Sequence, residues 1–117
     1  MSGSLEVPLQ VTLRNVPHSE ALDAEIRRRA AKLETLHPRL TSCRIALERD
    51  GAHQRQGQQF RVRIDVRAPG QREFVVDRGH DEDLAAAVRD AFDAMTRRLE
   101  ELAHEERGAD KARATRT

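Results

Sequence analysis

A chain of 117 residues, 38% hydrophobic and 35% charged, holds one domain core and not two. No apolar run approaches the ~20 residues of a membrane span, and Met1-Ser2-Gly3-Ser4 lacks the basic-then-apolar layout of a secretion signal. The lone cysteine, Cys43, excludes an internal disulfide and fits a reducing cytoplasm, while a net charge of only +1 means that any attraction to nucleic acid must come from local clusters.

Val7, Leu9, Val11 and Leu13 alternate with polar neighbours up to Arg14, the period of a half-buried strand. Pro8 stands near its start, where a missing N–H is tolerated. Asn15-Val16-Pro17-His18 ends the strand. Ser19 then suits an N-cap, and Leu22, Ile26, Ala30, Leu33 and Leu36 mark one apolar stripe on a helix from about Ser19 to His37. Glu20 and Asp23 complement its dipole, and Pro38 stops it. Cys43, Ile45 and Leu47 set a second strand, and the polar Asp50 to Gln58 reads as a hairpin loop. In the third strand Phe60, Val62, Ile64 and Val66 face one way and Arg61, Arg63, Asp65 and Arg67 the other. Ala68-Pro69-Gly70-Gln71 holds a turn, and Glu73 to Asp77 makes a fourth strand around Phe74, Val75 and Val76.

The last helix is expected from about Asp81 to Glu106. Asp81, Glu82 and Asp83 load its first turn, and Leu84, Val88, Ala91, Phe92, Met95, Leu99 and Leu102 form its stripe. Residues 1–107 thus make a single domain, and residues 108–117 are expected to be a disordered basic tail. The order β-α-β-β-β-α predicts an α+β fold, with two helices covering one face of a four-stranded sheet.

Enzymatic chemistry finds little support. His18, His37, His53, His80 and His104 include no helical i, i+4 pair, and Cys43 has no second thiol to complete a zinc site. No phosphate loop, dinucleotide fingerprint or G-x-S-x-G element is present, so neither cofactor nor metal nor small-molecule substrate is expected. Cys43 falls on the inward side of its strand, the place of a structural thiol.

Nucleic-acid binding has more to stand on. Arg27-Arg28-Arg29 and Lys32 gather on the first helix, with Arg28 and Lys32 one turn apart. Arg61, Arg63 and Arg67 form a row on the third strand, and Arg89, Arg97 and Arg98 a set on the last helix. Such groups grip phosphates and release counterions. Solvated faces partnered by Glu25, Asp65, Asp90 and Asp93 are the other account of the same arginines, and on spacing alone the favoured one. There is no Trp or Tyr, and Phe60, Phe74 and Phe92 lie on core faces. Stacking on single-stranded bases is therefore unavailable, and RNA would be read by backbone and shape.

The opening Leu9-Gln10-Val11-Thr12-Leu13-Arg14-Asn15, the stretch Arg29-Ala30-Ala31-Lys32-Leu33-Glu34, the Arg39-Leu40 turn and the helix from Asp83 to Leu99 occur in an order and spacing that resemble one family. It is that of bacterial ribosome hibernation-promoting factors and ribosome-associated inhibitors, also called the sigma-54 modulation protein family. The resemblance covers residues 9–104 and implies a fold similar to a double-stranded-RNA-binding domain. It also implies a translation inhibitor that sits on ribosomal RNA of the small subunit, across the decoding channel, in stressed or stationary cells. Arg29, Lys32 and Arg97 match basic positions of the family's helices. The expected RNA-binding residues are therefore Arg28, Arg29, Lys32, Arg89, Arg97 and Arg98, with the small ribosomal subunit as partner. Two features depart from the family pattern: Ala94 stands where a lysine is frequent, and Glu100, Glu101, Glu105 and Glu106 replace a lysine-rich helix end. No second C-terminal domain is expected, as in the family's short forms. The acidic end supports an alternative, a stress-related protein-interaction module that keeps the fold without binding ribosomes tightly.

Overall fold

The computed structural model describes residues 8–50, 59–80 and 83–114, with side chains placed for 8–49, 60–79 and 83–108. Its elements run β1 (Leu9–Arg14), α1 (Glu20–Leu36), β2 (Ser42–Asp50), β3 (Gln59–Ala68), β4 (Arg72–His80) and α2 (Leu84–Ala114). This is the α+β order expected. The four strands form one sheet in the order β1-β2-β3-β4, with β1 parallel to β2 and the other two pairings antiparallel. Because β1 and β2 are parallel, α1 must return against them. Because β4 runs as β2 does, α2 also runs against the sheet, parallel to α1.

Alternation in the sequence becomes rows across the sheet. Val11, Ile45, Ile64 and Val76 are partners in register, as are Leu13, Leu47, Val62 and Arg78. The first of these rows lies under the helices. Ile45, Leu47, Val62, Ile64 and Val66 are buried against Ile26, Ala30 and Leu33 of α1 and Val88, Phe92, Met95 and Leu99 of α2. The helix α2 lies over β3 and β4 and beside α1. The opposite face of the sheet is open and ionic: Arg61 bonds Asp77 at 2.8 Å and Arg67 bonds Glu73 at 3.0 Å across strands.

Local chemistry sets the ends of each element. Ser19 Oγ accepts from the Leu22 N–H at 3.3 Å, as the N-cap reading requires. Asp83 caps α2 by accepting from the Ala86 N–H at 3.2 Å; Asp81 and Glu82 lie outside the described residues. At the β3–β4 turn Gly70 has φ +84°, a left-handed conformation that costs glycine nothing. Val7 and nearly all of the expected loop from Asp50 to Gln58 also lie outside the described residues.

Two boundaries differ from expectation. The strand β4 continues past Asp77 to His80, because its backbone keeps pairing with β3 as far as Phe60 even though Arg78, Gly79 and His80 carry no apolar signal. The helix α2 does not stop near Glu106 but runs through Gly108 to Ala114. The segment expected to be disordered is thus helical from residue 108 to 114. Ala109, Lys111, Ala112, Arg113 and Ala114 are good helix formers and no proline intervenes, so a single glycine, at about 1 kcal/mol, does not end the helix. Residues 115–117 lie outside the described residues.

Cys43 is buried as its strand position predicts. Burial, and secondarily the Asp65 carboxylate, push its thiol from 9.0 up to about 11. The folded pKa therefore lies above the unfolded one. The stabilisation this represents, roughly 2–3 kcal/mol, is complete below pH 9 and is lost as pH rises through 11. Urea titrations between pH 7 and 11 are expected to show that loss in the native protein and a flatter profile in Cys43→Ala.

Candidate nucleic-acid interface

The six basic residues singled out in the sequence differ in their surroundings. On α1 the arginines are engaged by carboxylates of their own helix. Arg27 holds Asp23 at 2.9 Å, while Arg28 and Arg29 both pair with Glu25, Arg29 at 2.5 Å. Helical spacing of three and four residues brings these groups within reach of one another. Lys32 is exposed and has no carboxylate within 4 Å among the described residues. Arg89 is likewise exposed and unpaired among the described residues, but it stands eight residues before Arg97, about 12 Å along the axis and about 80° around it.

Arg97 and Arg98 do converge with another cation. They line a groove between α2 and the edge strand β4, about 420 Å³ in volume, together with Val75, Val76, Asp77, Arg78, Ala94 and Glu101. Arg78 reaches it because it continues the inward-facing row Leu13–Leu47–Val62 to the open edge of the sheet. There the row meets α2 and solvent instead of a fifth strand. The guanidinium of Arg98 sits over the Phe74 ring, 5.7 Å from its centroid, a cation–π contact that steadies the side chain while leaving its N–H groups free. No carboxylate lies within 4 Å of Arg78, Arg97 or Arg98 among the described residues, and Asp77 is already bonded to Arg61. Glu101 is the remaining acid in the groove. Three forked donors against one such carboxylate form an arrangement chemically suited to oxyanions.

Arg78 was not among the candidates, because the expected strand stopped at Asp77. One further step of the alternation Phe74, Val76, Arg78 would have placed it on the helix-covered side. Ala94, at the position where a lysine is frequent in the family, is buried in the groove wall. Arg78 approaches the same groove from the strand side. The acidic residues Glu100 and Glu105 are exposed on α2 and do not line this groove.

On the open face of the sheet Arg61 and Arg67 are paired, while Arg14, Arg44 and Arg63 are exposed with no carboxylate within 4 Å among the described residues. Besides the Arg61–Asp77 and Arg67–Glu73 bonds, Arg67 Nε lies 3.8 Å from Asp65. Burial, followed by a hydrogen bond and repulsion from Glu73, holds the Asp65 carboxyl above its usual range against the pull of Arg67 and Arg63. What sets the groove apart is that its three arginines line one concave site, whereas Arg14, Arg44 and Arg63 stand on three separate strands of the sheet. Among the described residues no cluster of His, Cys, Asp and Glu could hold a metal ion, and no helix is long and apolar enough to cross a membrane.

Comparison with known proteins adds a second line of argument. The sequence pattern of the family described as sigma 54 modulation protein / S30EA ribosomal protein matches residues 9–107. The N-terminal domain of Thermus thermophilus Protein Y superposes with a TM-score of 0.66 at 21% identity, covering 84% of this chain and 99% of that one. A ribosomal subunit interface protein from Coxiella burnetii gives 0.64 at 18% identity, with the same coverage. These likenesses establish a shared fold. No curated protein matches the chain significantly.

Proposed function

Since the chain belongs to the sigma 54 modulation protein / S30EA ribosomal protein family, we propose that it is a ribosome-associated factor that holds small-subunit ribosomal RNA through phosphate contacts and restrains translation under stress. The observation that carries this reading is the convergence of Arg78, Arg97 and Arg98, unpaired by carboxylate among the described residues, on the α2–β4 groove. Phosphate recognition needs no more than forked donors held on rigid elements. A strand edge and a buried-faced helix provide that rigidity. The absence of tryptophan and tyrosine supports recognition of a folded RNA backbone in preference to stacked bases. In this reading the contact lies at the decoding channel, where occupancy by the protein would exclude mRNA and tRNA.

Within this reading the six residues first considered divide by their surroundings. Arg97 and Arg98 make the principal contacts, now joined by Arg78. Lys32 and Arg89 add longer-range attraction from unpaired positions on α1 and the start of α2. Arg28 and Arg29 contribute least, because Glu25 already satisfies both. The test is co-sedimentation of the purified protein with small ribosomal subunits at 50 to 300 mM salt. Binding that weakens steeply with salt is expected, as counterion release dictates. A protein that stays in the supernatant at 50 mM salt would refute the assignment.

A further inference from the structure

A second cavity, sharing no lining residue with the arginine groove, lies where the end of α1, the β3–β4 turn and the far part of α2 meet. It has a volume of about 350 Å³ and is lined by His37, Arg39, Ala68, Pro69, Gly70, Arg72 and Glu106. His37 is 4% exposed, and neither ring nitrogen has a hydrogen-bond partner. A buried imidazole with both nitrogens unsatisfied is costly unless something else uses it. Its Nε2 lies 3.5 Å from Glu106 Oε1, too distant to count as a hydrogen bond here. The same Glu106 oxygen accepts from the Arg72 guanidinium at 3.3 Å. Glu106 is itself 40% exposed and sits on a surface turn of α2. Arg39, exposed, has no carboxylate within 4 Å among the described residues.

We infer that this cavity is a binding site for a small phosphomonoester, in which Glu106 marks the position of the incoming oxyanion. The His37 imidazole and the Arg72 guanidinium face the place where one carboxylate oxygen now rests, at 3.5 and 3.3 Å, longer than charge-assisted hydrogen bonds prefer, and Arg39 lines the same cavity. A tetrahedral oxyanion with three free oxygens can engage His37, Arg39 and Arg72 together. A carboxylate tethered to α2 reaches only two of them, and neither closely. The ligand has to displace Glu106, so a dianionic monoester has the advantage over a backbone phosphodiester, which carries no more charge than the carboxylate it replaces. The cavity volume falls at the lower end for small-molecule sites, which fits a single phosphate group with a modest substituent. Binding involves no covalent step, and the site is independent of the ribosomal assignment.

The experiment is NMR of the full chain with the His37 ring resonances assigned, titrated with inorganic phosphate and separately with a nucleoside 5′-monophosphate. Saturable shifts of the His37 ring are expected with both. Glu106→Gln is expected to tighten binding several-fold, and Arg39→Ala with Arg72→Ala to weaken it by roughly tenfold or more, the equivalent of about 1.4 kcal/mol. A short oligoribonucleotide with and without a 5′-phosphate distinguishes the source of the group: for a chain-end phosphate only the phosphorylated form shifts the His37 ring. The inference is overturned if the His37 ring does not respond to phosphate in either the native protein or Glu106→Gln. It is equally overturned if the response survives loss of both arginines, or if the unphosphorylated oligonucleotide shifts the His37 ring as strongly as the phosphorylated one.

Discussion

Ile64→Ala is expected to destabilise the protein by about 3–5 kcal/mol, a large share of the ~5–15 kcal/mol that holds a domain of this size together. Ile64 occupies the middle of the sheet's central inward row, paired in register with Ile45 and Val76, and is fully buried. The sheet beneath it and the helices above are rigid elements, so truncation leaves a cavity that the surroundings cannot close. The check is a urea titration in which the midpoint falls with little change in slope. Val75→Ala supplies the contrast. Val75 lies on the open face of β4, one residue from buried Val76, and its loss is expected to cost within about 0.5 kcal/mol. Equal costs at the two positions would mean that the sheet is not covered on the face described.

The second large effect concerns binding. Arg78→Glu combined with Arg97→Glu is expected to weaken association with small ribosomal subunits by roughly 100-fold or more, since each charged hydrogen bond contributes about 1.5–3 kcal/mol. The double variant should also lower the slope of log affinity against log salt by about 1 for each phosphate contact removed. Folding should be spared, because both side chains project into a solvent-filled groove. Arg28→Ala is the comparison: its guanidinium is held by Glu25, and its removal should change affinity by no more than about threefold, as an exposed ion pair predicts. Fluorescence anisotropy of labelled protein against purified subunits measures all three. A double variant that binds like the native protein would remove the groove from the interface.

Much of this architecture was legible in the residues themselves. The strict alternation from Phe60 to Arg67 identified β3 and its two faces, and Ser19 and Pro38 bracketed α1 within a residue of its observed ends. The burial of Cys43 also followed from alternation. What failed did so where local signals fade. β4 kept its ladder beyond Asp77 because backbone pairing is indifferent to side-chain polarity, and that hid Arg78. The run of α2 through Gly108 was missed because a glycine followed by polar residues imitates a helix end. The interface was only partly legible. Sequence spacing showed that Arg97 and Arg98 share a helix, but their meeting with Arg78 depends on β4 being the sheet's edge, which strand order alone determines. Spacing also suggested a cationic cluster at Arg28 and Arg29, whose charge their shared Glu25 halves. His37 read as a helix-end residue and gave no sign of its burial, which arises only when the turn at Gly70 and the far part of α2 close around it.

Site-specific photo-crosslinking on intact small subunits addresses the groove most directly. A photoreactive residue placed at position 97 is expected to crosslink to ribosomal RNA, and one placed at position 46, on the open face of the sheet, to give far less product. RNA crosslinks formed from position 46 and absent from position 97 would contradict the account, because they would put the ionic sheet face, and not the α2–β4 arginines, against the ribosome.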